Sequence, residues 1–186
     1  MASGFSKRFG SRNKLLVPFR GKPLACYTLE LVNAIGFSGG IYFVSSSHDA
    51  EALAADLPDI RVIYNTAPER GLRESVRLGI TVADADTAYY LFFPCDMPFL
   101  DAPTVRRIIG ERKPACIVEP RFNGRPGNPS LFSAFFREEL LSLGNGETPR
   151  IIKARHPEAL RTVEVSNPLV LEDIDDEETL NQYDKR

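Results

Sequence analysis

Tryptophan is absent from this chain, and cysteine, histidine and methionine are scarce: three, two and two among 186 residues. The cysteines Cys26, Cys95 and Cys116 are far apart, odd in number and set among apolar neighbours. That excludes a disulfide framework and a structural zinc motif, and predicts reduced thiols inside a cytoplasmic protein. The histidines, His48 and His156, have no companions that would build a metal cluster or a Ser/His or Cys/His nucleophile pair. His156, next to Pro157, reads as a surface residue. No apolar run approaches the roughly 20 residues of a membrane helix, and no signal peptide is visible. The net charge of −2 removes any electrostatic argument for a nucleic-acid partner. Repeats, low-complexity tracts and linkers are lacking too, so residues 1–186 are expected to form a single domain.

What is present begins at the N-terminus. Ala2 to Lys14 carries Gly4, Gly10, Ser3, Ser6, Lys7, Arg8 and Lys14, and Gly21-Lys22-Pro23 follows closely. Such a loop can turn backbone N–H groups inward around phosphate oxygens, with the lysines as mobile charges further along a polyphosphate. It is not a Walker A loop, because no Gly-Lys-Ser/Thr stands at the required spacing. The bland alternative is a solvated basic loop. The opposite end is acidic, from Asp173 to Glu178. The asymmetry fits an anionic ligand at one end of a site and a metal at the other.

Between these ends, helix and strand patterns alternate. Leu24, Tyr27, Leu31 and Ile35 recur at helical spacing, with Pro23 at the start and Gly36 as terminator. Strands are predicted at 41–44, 61–64, 88–93, 115–119 and 162–165. Helices are predicted near 49–57, at about 103–112, after Leu131 and Phe132 through Leu143, and briefly before His156. This alternation predicts a three-layer α/β/α sandwich with a mostly parallel, Rossmann-like sheet. Residues 88–93 lack polar alternation, which implies burial on both faces. They lead into Pro94-Cys95-Asp96-Met97-Pro98, placing a carboxylate just past a strand end, where open α/β sheets position ligand chemistry. Asp96 is thus a candidate ligand for Mg²⁺, with a turn or cap aspartate as the alternative. Ser75 and Gly79 lie four apart on one helix face, which fits either close helix–sheet packing or the approach of a flat ligand. Asp175 fits either a helix cap or a second metal-facing carboxylate.

Ser3-Gly4-x-Ser6-x-Arg8-Phe9-Gly10, then Asn13-Lys14-Leu15-Leu16 and Gly21-Lys22-Pro23-Leu24, resembles the signature of the MobA-like nucleotidyltransferases. It is most similar to their molybdenum cofactor cytidylyltransferase branch. The likeness continues through Cys95-Asp96-Met97-Pro98 to Asp173-Ile174-Asp175, nearly the whole chain. It implies a Mg²⁺-dependent transfer of CMP from CTP, or a related NTP, to the phosphate of a molybdopterin-type acceptor, with release of pyrophosphate. A molybdoenzyme or its chaperone would be a further partner. Arg8, Lys14 and Asp96 would be catalytic. Ser3, Gly4, Ser6, Arg8, Gly10, Lys14, Lys22, Asn65, Gly71 and Ser75 would bind nucleotide, and Asp96 and Asp175 the metal. The Gly124, Gly127 and Pro129 loop resembles a segment near the acceptor. Of a Gly-Asp-x-Gly-Ala-Arg segment, this chain keeps Gly144 and Arg150. It departs from the pattern at its start, where Met1 opens the loop without the usual preceding strand. The expectation is a start upstream of Met1 or a sheet without its first, central strand. Alternatives are a guanylyltransferase or sugar-phosphate nucleotidyltransferase of the same fold, or a non-catalytic nucleotide-binding module.

Overall fold

The computed structural model describes residues 13–184. A 3-10 turn at Lys14–Leu16 precedes a small antiparallel hairpin of β1 (Pro18–Phe19) and β2 (Lys22–Pro23). Helix α1 (Leu24–Ile35) follows at once and ends at Gly36, whose φ of 69° belongs to a residue without a Cβ. Then come β3 (Ile41–Ser45), α2 (Ala50–Ala54), β4 (Ile60–Tyr64), α3 (Leu72–Val82), β5 (Tyr89–Phe92) and α4 (Ala102–Gly110). The last part contains β6 (Ile117–Phe122), β7 (Arg125–Pro126), β8 (Ser130–Ser133), α5 (Arg137–Leu141), α6 (Arg150–Arg155), β9 (Leu160–Glu164) and α7 (Glu177–Asp184).

Strands β3 and β4 pair in parallel. The larger sheet runs β5–β8–β6, with β7 and β9 also paired to β6. Because β8 is antiparallel to both β5 and β6, those two run the same way, and β9 is parallel to β6. Strand β8 and the two-residue β7 are therefore reversed against β5, β6 and β9. The sequence reads Leu131 and Phe132 as leading into a helix that runs through Leu143. The structure ends that segment's extended part at Ser133, whose hydroxyl accepts from the Phe135 N–H and turns the chain toward α5.

The strand side chains show why the sheet needs cover on both faces. Ile117 and Phe132 enter one core with Val76 and Ile80 of α3, Leu140 of α5 and Ile152 of α6. Their neighbours Val118 and Leu131 enter another with Ile108 of α4 and Val163 of β9. The period of two along a strand sends successive apolar residues to opposite layers. A further core sets Ala25, Leu29 and Val32 of α1 against Phe43, Leu53 and Ile60. Each fully buried side chain of this size contributes about 1.5–3 kcal/mol. The fold is the α/β sandwich expected, and no helix among the described residues is long and apolar enough to cross a membrane.

Candidate active site

One small hydrophobic residue brings the two ends of the chain together. Ile174 is fully buried with Val17, Phe19, Leu24 and Leu180. Its N–H donates to the Asp96 carbonyl oxygen at 2.9 Å. Seating Ile174 therefore fixes Asp173 and Asp175 on either side of it, beside the turn that follows β5.

Lys14 joins this cluster from the opposite direction. Asn13 caps the 3-10 turn by accepting from the Leu15 N–H, and Leu15 is buried in the α1 core. Lys14 Nζ donates to Asp96 Oδ2 at 2.8 Å and to Asp175 Oδ1 at 2.6 Å. Burial works against the ammonium charge, but Asp96 and Asp175 more than offset it, and the Lys14 pKa is raised. Asp173 is pushed up, first by burial and then by the charges of Asp175 and Asp96. Three carboxylates thus crowd around one lysine.

The other acidic side chain here has a different partner. Asp176 Oδ1 accepts from the Thr179 N–H at 2.8 Å and so caps α7. Capping falls to Asp176, while Asp175 reaches Lys14. Asp96 Oδ1 is buried and accepts no hydrogen bond among the described residues. A buried carboxylate oxygen without a donor is costly, and a hard divalent cation would satisfy it. No group of three His, Cys, Asp or Glu side chains among the described residues stands ready to enclose a metal. Two carboxylates with phosphate oxygens and water would suit Mg²⁺, which seldom relies on an all-protein cage. The residues present fit such an ion, and Asp96 and Asp175 are the ones that could hold it.

Lys14, Asp96 and Asp173 open onto a cleft of about 1590 Å³. Asn13 continues its wall: its Nδ2 donates to Ser47 Oγ, and that hydroxyl donates to Asp49 Oδ2, each at 2.9 Å. Gly71 also lines the cleft, with φ at 73° where the chain turns into α3. Asn65 and Ser75 lie below: both are buried, and Asn65 Nδ2 donates to Ser75 Oγ at 3.3 Å. A Cβ on Gly79 would meet Val44 of β3 at 3.7 Å, so that face packs helix against sheet. Lys22 points elsewhere, paired with Glu30 and lying 4.1 Å from the Tyr27 ring centre. Ser3, Gly4, Ser6, Arg8 and Gly10 lie outside the described residues.

The far part of the cleft holds residues that the motifs did not single out. Glu119, 2% exposed, accepts from Lys153 Nζ at 2.8 Å and from Arg121 Nε at 3.0 Å. Lys153 also donates to Ser130 Oγ at 2.6 Å. Arg125 pairs with Glu172, and Arg150 lines the same cleft. The signals available were an acid closing an apolar strand run at Glu119 and a lysine beside Ile151-Ile152. His156 is half-buried, 2.8 Å from Glu139 and tilted against Phe136, which corrects its expected surface position.

An α/β sandwich with acidic and basic groups converging beyond a strand end defines a small-ligand enzyme site of the phosphate-handling kind. The sequence places it within that class. The model for the MobA-like NTP transferase domain matches residues 1–160, and the chain belongs to this family of nucleotidyltransferases. A probable molybdenum cofactor guanylyltransferase from Thermococcus gammatolerans is 31% identical over 169 residues, 84% of this chain and 81% of the relative. A nicotine blue oxidoreductase from Paenarthrobacter nicotinovorans is 24% identical over 183 residues, 94% of this chain and 89% of the relative. Among solved structures, a nucleotidyl transferase from Methanothermobacter superposes with a TM-score of 0.84 at 22% identity, covering 99% of this chain and 93% of that one. A Mycobacterium tuberculosis protein solved with manganese gives 0.76 at 23% identity, covering 95% and 94%. Those two likenesses show the fold.

Proposed function

We propose that this enzyme transfers a nucleotidyl group from CTP to the phosphate of a molybdopterin-type acceptor, with Mg²⁺ as its cation. The observation that carries the reading is the Lys14–Asp96–Asp175 constellation, with one buried Asp96 oxygen open to a cation. An acceptor phosphate oxygen bonds to the α-phosphorus of the nucleotide as the bond to the β-bridging oxygen breaks. Pyrophosphate leaves with that electron pair. Asp96 and Asp175 would hold the Mg²⁺, which would supply charge neutralisation and alignment at the phosphates. Lys14 donates to the phosphate oxygens as charge builds on the leaving group. No protein nucleophile is required. The backbone N–H groups of residues 3–10, with Arg8, would hold the triphosphate, and residues 1–186 would act as one domain.

The base preference rests on sequence. The guanylyl branch resembles Gly-Gly where this chain has Ser3-Gly4, and Asp-Lys where it has Asn13-Lys14. A side chain at position 3 leaves less room for a purine, a discrimination of about 1–3 kcal/mol. A second reading, GTP as donor, is favoured by the name of the Thermococcus relative. The deciding experiment measures pyrophosphate release from CTP, GTP, ATP and UTP with purified molybdenum cofactor, for wild type and Asp96→Asn. We expect kcat/KM to favour CTP at least tenfold and to fall by two or more orders of magnitude in the variant, with its folded structure unchanged. A preference for GTP hands the donor site to the second reading. Normal turnover by Asp96→Asn rejects the assignment of this carboxylate, and no release from any nucleotide rejects nucleotidyl transfer.

A further inference from the structure

The carboxylate cluster at Lys14 has a counterpart of opposite sign in the same cleft. Lys153, Arg121 and Arg150 line it with a single carboxylate among them, Glu119. Both Glu119 oxygens are engaged, Oε1 by Arg121 and Oε2 by Lys153. Arg150 has no carboxylate partner among the described residues, and Arg125 is neutralised by Glu172. Two positive charges therefore stand unbalanced. The site is built rather than superficial: the side chains of Lys153 and Glu119 are 14% and 3% exposed, and Ser130 is 4% exposed. An ammonium carries three N–H donors, and Glu119 and Ser130 take two from Lys153.

We propose that Lys153, backed by Arg121 and Arg150, is the subsite that binds the dianionic phosphate monoester of the acceptor. This deepens the function proposed above and rests on it. The unbalanced charge matches a phosphate dianion, and an arginine fork with a point-charge lysine is a donor set suited to its oxygens. Burial holds the Lys153 pKa below its ordinary range, against the opposing pull of Glu119. An arriving dianion gives the ammonium a second anionic partner, so the lysine favours a doubly charged group over a neutral one. Glu119 positions Lys153 and Arg121 and makes no contact with the ligand. The two ends of the cleft then divide the labour, with the acidic end taking cation and triphosphate and the basic end the attacking phosphate.

The probe is phenyl phosphate, titrated calorimetrically into full-length protein with and without saturating CTP and Mg²⁺. Phenyl phosphate should bind in both conditions. Lys153→Met and Arg150→Ala should each weaken it at least tenfold while CTP affinity stays within twofold. Lys153→Met leaves the buried Glu119 Oε2 without its donor and risks misfolding. The double variant Lys153→Met with Glu119→Gln removes both charges together and should show the same loss. Lys153→Arg should retain most of the binding. Wild-type affinity in the double variant overturns the subsite. Displacement of phenyl phosphate by CTP, with weaker CTP binding in Lys153→Met, gives this lysine to the nucleotide and overturns the acceptor assignment. Wild type that binds no nucleotide yet holds phenyl phosphate through Lys153 rejects nucleotidyl transfer and leaves the phosphate site standing.

Discussion

Asp175 and Asp176 are neighbours in the chain with different partners. Asp176 accepts from the Thr179 N–H, satisfying one of the orphan donors at the start of α7. Asp175 reaches the Lys14 ammonium across 161 positions of sequence. The two roles separate by measurement. Asp176→Ala should cost about 1 kcal/mol in urea unfolding, the usual loss of an N-cap, with turnover nearly unchanged. Asp175→Asn should cut turnover at least tenfold with stability held within about 0.5 kcal/mol, since its side chain is half exposed and a surface ion pair contributes little. The reverse pattern would assign the cap to Asp175 and the cation site to its neighbour. The adjacency of the two acids is plain in the sequence. Their division is not, because both precede α7 in irregular backbone, where no period fixes the direction of a side chain and only packed surroundings say which way is inward.

Helix α3 shows how an element is held by both its faces. Val76 and Ile80 are buried in the sheet core, while Glu74 at the first turn is held by Arg77, with Nη2 2.5 Å from Oε1. Hydrogen bonds from Arg77 hold the Glu74 carboxyl below its ordinary range, and burial opposes them. The folded state therefore favours the ionised form. Its contribution is complete above the ordinary glutamate pKa of about 4.3, and is lost as pH falls through the lower folded value. Arg77 is 43% exposed, so solvent screens the pair and the contribution is about 0.5 kcal/mol. Glu74→Gln should lower unfolding stability by that amount at pH 7, and the difference from wild type should shrink on acidification to pH 3. An equal deficit at both pH values would mean shape, not charge, fixes this position. The first turn also depends on Gly71, whose positive φ lets the chain enter α3 from the cleft wall.

Strand β8 decides how the larger sheet closes. It is four residues long, pairs with β5 on one side and β6 on the other, and carries Phe132 with no exposed surface. That ring meets Phe92 and Phe136 edge to face, with centres 5.8 and 6.4 Å away. Phe132→Ala should cost about 3–5 kcal/mol by transfer and cavity terms combined. Phe135, 70% exposed three positions on, should tolerate alanine within about 0.5 kcal/mol. Chemical unfolding of both variants is the check, and similar losses would show that β8 does not anchor the core. A four-residue apolar run gives strand and helix patterns nearly equal support, which is why this segment read as the front of a helix. The edges of β5 and β6 settle the matter, because their unpaired N–H and C=O groups need a partner.

The sequence by itself determined the alternating elements, the stop at Gly36, the carboxylate just past β5 and the family of the chain. Each of these depends on residues a few positions apart, or on a motif kept intact in one stretch. Tertiary structure alone decided which distant groups meet. Lys14 finds Asp96 across 82 positions, and Lys153 finds Glu119 across 34. It also set Lys22 against Glu30 and Tyr27, and turned Asn65 toward Ser75. Hydrophobic anchors such as Ile174 and Leu15 fix where the backbone lies, and the polar side chains beside them are carried to whatever neighbours that packing provides. Periodicity reports the inward face of an element but not the element it will face, because burial is favourable against any apolar surface of fitting shape.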